Sequence, residues 1–148
     1  MRLRFATAAL AAALGMAASP VFAAAVSTVA VSMRDPSSGP GIAGMQMVAQ
    51  PDQVPAGQIT FHAANQSRTL VHEMLVVKVS DFDVTLPYDA KRSEVIESRV
   101  KKLGEIPDLR PGQSGSLTLR LTPGDYLLLC NQPGHYKSGM ATRLVVSR

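Results

Sequence analysis

Apolar and polar residues alternate along several short segments of this chain. Residues 26–33 (VSTVAVSM) and 58–65 (QITFHAAN) place every second side chain on one face, which is the period of a half-buried strand. Residues 70–79 (LVHEMLVVKV) are almost continuously apolar and β-branched, as in a central strand of a sandwich. The pattern therefore predicts an all-β domain.

Further strands are predicted towards the C-terminus, at residues 116–121 (SLTLRL), 126–130 (YLLLC) and 141–147 (ATRLVVS), with a brief pairing segment at 47–50. Residues 35–45 are rich in Gly, Pro and Ser, which predicts a loop. Ser93 can cap a short helix over residues 94–103 that Gly104 ends. This order predicts a Greek-key antiparallel β-sandwich with a short helical insertion.

The N-terminus has the features of a secretory signal peptide. Two arginines precede an Ala/Leu run that is shorter than the roughly 20 residues needed to span a bilayer, and small residues follow. We expect residues 1–23 to be the signal peptide, with cleavage between Ala23 and Ala25, and residues 24–148 to be one exported, periplasmic domain. An uncleaved membrane anchor is the alternative.

The charge balance argues against two classes of partner. The whole chain carries +4, and removal of Arg2 and Arg4 with the signal peptide leaves 13 basic against 11 acidic residues. Such a near-neutral domain favours neither nucleic acid nor a membrane surface.

A single cysteine lies in a segment that contains two other potential metal ligands. In CNQPGHYKSGM, four residues separate Cys130 from His135 and four more separate His135 from Met140. Thiolate and thioether favour copper, particularly Cu(I), and imidazole supports both Cu(I) and Cu(II). A second histidine would complete a trigonal site with a weak axial methionine, and His72, at the start of the apolar strand, can supply it.

This segment, with the upstream HEM triplet that begins at His72, resembles the type 1 copper motif of the cupredoxins. The spacing is most similar to that of the rusticyanins and sulfocyanins. The resemblance covers roughly residues 50–148 and implies one copper ion with His72, Cys130 and His135 as equatorial ligands and Met140 as the axial ligand.

One position departs from that pattern. Glu73 follows the first histidine, where plastocyanin and azurin carry an asparagine that ties the two ligand segments together. We hypothesise that Asn131 provides a similar connection from the other side, so that Asn131→Ala would shift the reduction potential.

The same residues are compatible with other interpretations. Cys130 could be a buried structural thiol or a nucleophile paired with His135, and a four-ligand zinc site is possible although a methionine ligand argues against it. His62 is expected on the surface. Met74 either lines the copper site or packs in the core, and Met45 and Met47 either cover apolar surface or form an accessory Cu(I) site. The charged residues of the predicted helix most simply form a solvated face: Glu94, Glu97, Arg99, Lys101 and Lys102.

Two functions follow from the expected copper site. In the first, the protein is a one-electron carrier whose redox partners dock transiently near His135, on a patch formed by Pro133, Gly134 and Gly139. In the second, it is a periplasmic copper carrier or copper-homeostasis protein that delivers the ion to a receiving protein. An enzymatic role is not expected, because all four coordination positions are filled.

Overall fold

The computed structural model of the protein describes residues 26–41 and 43–148. The expected signal peptide, residues 1–23, and its cleavage point lie outside the described residues. Within the described ranges the chain forms strands and two short 3-10 turns, Pro36–Ser38 and Glu97–Arg99. The strands are β1 (Ser27–Arg34), β2 (Gln46–Gln50), β3 (Gln53–Pro55), β4 (Gly57–Asn65), β5 (His72–Val79), β6 (Tyr88–Asp89), β7 (Glu94–Val95), β8 (Lys101–Leu109), β9 (Ser114–Leu121), β10 (Gly124–Leu129) and β11 (Ala141–Ser147).

Two sheets pack face to face around one core. The first has the order β2-β1-β4-β9 and the second the order β3-β11-β10-β5-β8. The alternation in β1 and β4 buries Val29, Val31, Ile59 and Phe61 against residues such as Leu128 of the facing sheet. The predicted β-sandwich is therefore confirmed, and the half-buried strands at 26–33 and 58–65 are confirmed with it.

Not every pairing is antiparallel. β1 runs parallel to β4, from Ser27 opposite Ile59 to Met33 opposite Asn65, and β3 runs parallel to β11. Between β1 and β4 the chain forms β2 in the first sheet and β3 in the second, so it changes sheet before it returns to the side of β1. Such a crossover lets neighbouring strands run in the same direction.

The helix predicted over residues 94–103 is wrong. Its span contains β7, the 3-10 turn Glu97–Arg99 and the start of β8. Ser93 does not cap a helix but lies in a turn with φ 59°. Pairing of β8 with β5 outweighs the helical charge spacing, and Gly104, inside the strand, permits close packing because an added Cβ would lie 3.1 Å from Cδ2 of Leu119.

The apolar run in β5 forms an inner strand of its sheet, as the sequence predicts, and it is buried on both sides. One side faces the sandwich core, while Leu75 and Val77 pack with Leu86 and Val95 of the segment between β5 and β8. This segment covers the outer face of the second sheet and lies beside the residue that follows Cys130. No helix in the described part of the chain is long and apolar enough to cross a membrane.

Candidate metal centre

Sheet register brings His72 and Cys130 to the same end of the second sheet. His72 is the first residue of β5, and Cys130 directly follows β10, which pairs antiparallel with β5 so that Leu129 lies opposite Leu75. The backbone N–H of Glu73 donates to Sγ of Cys130 at 3.4 Å. Residues far apart in the sequence are thus joined by one strand pair.

The loop from Cys130 to Met140 folds back on itself. The N–H of Met140 donates to the carbonyl of His135, and the N–H of Cys130 donates to the carbonyl of Met140, both at 3.0 Å. Gly134 and Gly139 adopt φ values of 83° and 94°, in the region that favours glycine. These bonds hold the backbone of all three candidate ligands of the loop together.

Three donor atoms converge. Nδ1 of His72 lies 3.2 Å from Nδ1 of His135, and Sγ of Cys130 lies 3.4 Å from Nδ1 of His135 and 4.0 Å from Nδ1 of His72. Metal–ligand bonds of roughly 2.0–2.3 Å at trigonal angles separate ligand atoms by roughly 3.5–4.0 Å. Two imidazoles and a thiol at these separations fit one soft or borderline metal ion, and copper is the metal that this set with a thioether suits best.

The site is almost closed to solvent. His72, Cys130 and Met140 have no exposed surface, whereas 9% of His135 is exposed. Met140 and Cys130 belong to the same core cluster. The structure therefore places all four candidate ligands at one buried position of the fold, with His135 as the side chain nearest to solvent.

Burial controls the protonation of the free site. Burial lowers the pKa of His72, although the hydrogen bond and the charge of Asp35 act in the opposite direction. Burial and the charge of His72 both lower the pKa of His135. Burial also raises the pKa of the Cys130 thiol to about 11. The imidazoles are thus neutral and ready to bind metal, while the thiol must release its proton on binding.

The overall architecture matches that of two groups of solved structures. It is similar to dithionite-reduced auracyanin from Roseiflexus castenholzii, with a TM-score of 0.59, 24% identity, and coverage of 82% of this chain and 98% of that chain. It is also similar to rusticyanin from Thiobacillus ferrooxidans, with a TM-score of 0.61, 16% identity, and coverage of 82% and 77%. The chain has the cupredoxin fold.

The similarity in sequence covers a shorter part of the chain than the similarity in fold. A segment of 40 residues is 50% identical to auracyanin-B of Chloroflexus aurantiacus, but it spans only 26% of this chain and 17% of that protein. No protein-family model matches the chain. The likeness thus rests chiefly on tertiary structure.

Sequence reasoning missed one residue beside the candidate metal site. Oδ2 of Asp35 lies 3.1 Å from Nε2 of His72, and Asp35 is only 1% exposed. The one local signal is the run Asp-Pro-Ser-Ser, which forms a capping box at the first 3-10 turn. Nothing in that run indicates the histidine that Asp35 contacts.

Asn131 anchors the ligand loop, but to a different segment from the one expected. Its Oδ1 accepts from the N–H of Val95 at 2.6 Å, and its Nδ2 donates to the carbonyl of Val95 at 3.0 Å and to Glu97 at 3.1 Å. The connection between the two ligand segments is made by Glu73, whose N–H donates to Sγ of Cys130.

The remaining candidate residues lie on the surface or pack in and against the hydrophobic core. His62 is exposed, with Nδ1 2.7 Å from Oγ of Ser116. Met74 and Met47 are buried in the sandwich core, and Met45 packs against it. The charged residues around 94–105 form surface ion pairs: Arg92 with Glu94, and Lys102 with Glu97 and Glu105.

Proposed function

We propose that this protein binds one copper ion through His72, Cys130, His135 and Met140 and acts as an exported one-electron carrier. The observation that carries the proposal is the convergence of two imidazole nitrogens and one thiol sulfur within 4.8 Å of one another in the interior of a cupredoxin fold. The thioether of Met140, on the same closed loop, is the fourth donor of the proposed set.

Copper would supply the change between Cu(I) and Cu(II), and imidazole, thiolate and thioether donors are compatible with both states. The protein's part is to hold the donors still. His72 and Cys130 are attached to adjacent strands of one sheet, and backbone hydrogen bonds link Cys130, His135 and Met140. Donors in such a frame move little when the charge of the ion changes.

His135 is the proposed exit for the electron. It is the least buried of the four side chains, and it lies in a loop whose neighbouring Pro133 is exposed. A redox partner docking on Pro133, Gly134 and Gly139 would approach the site through this imidazole. We expect the contact to be small and transient, as in other redox encounters.

Burial favours this function over delivery of copper to another protein. A receiving protein must reach the ligands, and three of the four have no exposed surface. The filled ligand set also leaves no position for a substrate, so we expect no enzymatic turnover. We further propose that residues 1–23 direct export to the periplasm and that residues 24–148 form the working domain.

The first test is the visible absorption spectrum of residues 24–148 with stoichiometric Cu(II). We expect an intense thiolate-to-copper band near 600 nm, as the resemblance to type 1 copper proteins implies, that disappears in Cys130→Ser. The matched control is His62→Ala, which alters an exposed histidine outside the site and should retain the band. A colourless wild-type protein would contradict the proposed copper site.

Repeated reduction and reoxidation in the presence of a Cu(I) chelator distinguishes an electron carrier from a copper carrier. An electron carrier keeps its copper through many cycles, and the band returns at full intensity after each reoxidation. Stepwise loss of the ion to the chelator would indicate a copper carrier instead.

A further inference from the structure

A buried carboxylate contacts the ring nitrogen of His72 that faces away from the other donors. Nδ1 of His72 points to His135 and Cys130, whereas Nε2 lies 3.1 Å from Oδ2 of Asp35. Asp35 is 1% exposed and has no Lys or Arg partner among the ion pairs of the described residues. The imidazole is its ionisable neighbour.

The other contacts of Asp35 keep it in the carboxylate form. Its Oδ1 accepts from the N–H of Ser37 at 2.7 Å and from the hydroxyl of Ser37 at 2.6 Å. Two donors on one oxygen favour the ionised carboxylate over the protonated acid. An ionised carboxylate can only accept, so Nε2 of His72 must carry the ring proton and Nδ1 must present its lone pair.

A chain of hydrogen bonds connects this carboxylate to three parts of the fold. Oγ of Ser37 lies 3.0 Å from Oγ of Ser67, whose N–H donates to Oδ1 of Asn65. Nδ2 of Asn65 donates to the carbonyls of Leu70 and Leu109, both at 2.8 Å. The loop after β1, the loop before β5 and the end of β8 therefore share one buried network that ends on His72.

We propose that Asp35 is a positioning residue of the metal site, which fixes His72 with Nδ1 towards the ion and stabilises Cu(II) relative to Cu(I). The proposal rests on the proposed copper site. A carboxylate that accepts a hydrogen bond from the ring N–H on the far side makes an imidazole a stronger metal ligand and holds its ring in place. A buried negative charge close to the ion also favours the higher oxidation state.

The decisive variant is Asp35→Asn, which keeps the size of the side chain and removes its charge. We expect it to weaken Cu(II) binding about 10- to 100-fold and Cu(I) binding much less. A tenfold change in the ratio of the two affinities raises a one-electron reduction potential by about 59 mV. The measurement is the potential from protein-film voltammetry, with the copper EPR spectrum recorded beside it.

Ser38→Ala is the matched control. Oγ of Ser38 accepts from the backbone N–H of Asp35 at 3.0 Å, so this variant loosens the same turn and leaves the carboxylate in contact with His72. Its potential should stay close to that of the wild type. An equal rise in both variants would show that the turn, and not the charge, acts on the site, and would overturn the proposal.

A metal-free measurement keeps the proposal testable if Asp35→Asn does not fold. The ring ¹⁵N chemical shifts of His72 in wild-type apoprotein report which nitrogen is protonated, and we expect the Nε2–H form. The Nδ1–H form would overturn the proposal even if the copper band is normal, and so would an unchanged potential in a folded Asp35→Asn. A wild type without copper binding would overturn the proposed function, and this inference with it.

Discussion

The N–H of Cys130 donates to the carbonyl of Met140 at 3.0 Å, which closes the ligand loop at the point where β10 ends and β11 begins. This bond restrains the positions of Cys130 and Met140 relative to each other. The same bond makes the conformation of the residue before Met140 important for the site.

Gly139→Ala should destabilise the fold. Gly139 has φ 94°, and a side chain in the left-handed region costs about 1–2 kcal/mol. The added Cβ itself would lie 3.5 Å from the carbonyl of Met45, an ordinary contact, so the cost is in the backbone. Urea unfolding measures it. The control is Gly44→Ala, which has open space around the added Cβ and should change stability much less. Equal effects of the two substitutions would refute the backbone explanation.

Asn131→Ala should lower the free energy of unfolding by about 1–3 kcal/mol, because the buried N–H of Val95 loses its acceptor. The copper-loaded variant should also show a shifted reduction potential, since the loop that carries Cys130 loses its anchor. Denaturant titration and voltammetry test the two effects. The control is Gln132→Ala, which removes only an exposed hydrogen bond to Asp108 and should change neither stability nor reduction potential. An unshifted potential in Asn131→Ala would show that Asn131 does not influence the reduction potential.

Glu73 should make the metal-free protein less stable as the pH rises. Burial, then the charges of Asp108, Glu97 and Glu105, raise the pKa of Glu73 from 4.5 to about 7. The folded state therefore binds the proton more tightly than the unfolded state, so the contribution of Glu73 to stability is full below pH 4.5 and falls as the pH rises towards 7.

The difference in the free energy of unfolding between wild type and Glu73→Gln separates the effect of Glu73 from that of the histidines. At about 1.4 kcal/mol per pKa unit, the difference should change by on the order of 2–3 kcal/mol between pH 4 and 8. Denaturant unfolding of both apoproteins at a series of pH values measures this difference. Parallel pH profiles for the two proteins would contradict the prediction.

Copper should raise the melting temperature, because an ion that binds only the folded state stabilises it by mass action. The gain should increase with pH, since the thiol of Cys130, with a pKa raised by burial to about 11, must release a proton to bind. Differential scanning calorimetry with and without copper measures both trends. Cys130→Ser should lose most of the copper-induced rise in melting temperature. An equal rise in that variant would show that the ion binds elsewhere.

Local pattern was sufficient for much of the fold. The alternation of Val29 and Val31, and the apolar run of β5, were recognisable because side-chain burial in a strand repeats over neighbouring residues. The helix over 94–103 failed for the opposite reason. Its charge spacing is compatible with a helix in isolation, but the edge of β5 is available only in the folded sheet, and pairing with that edge makes residues 101–109 a strand.

The sequence by itself determined the candidate ligands of the loop, because Cys130, His135 and Met140 lie within one turn-rich segment whose spacing is visible in the chain. Only the tertiary structure decided what surrounds them. The contact of Asp35 with His72 and the tie from Glu73 to Cys130 join residues that are 37 and 57 positions apart. Such contacts depend on strand register and loop packing, which no local pattern of residue types encodes.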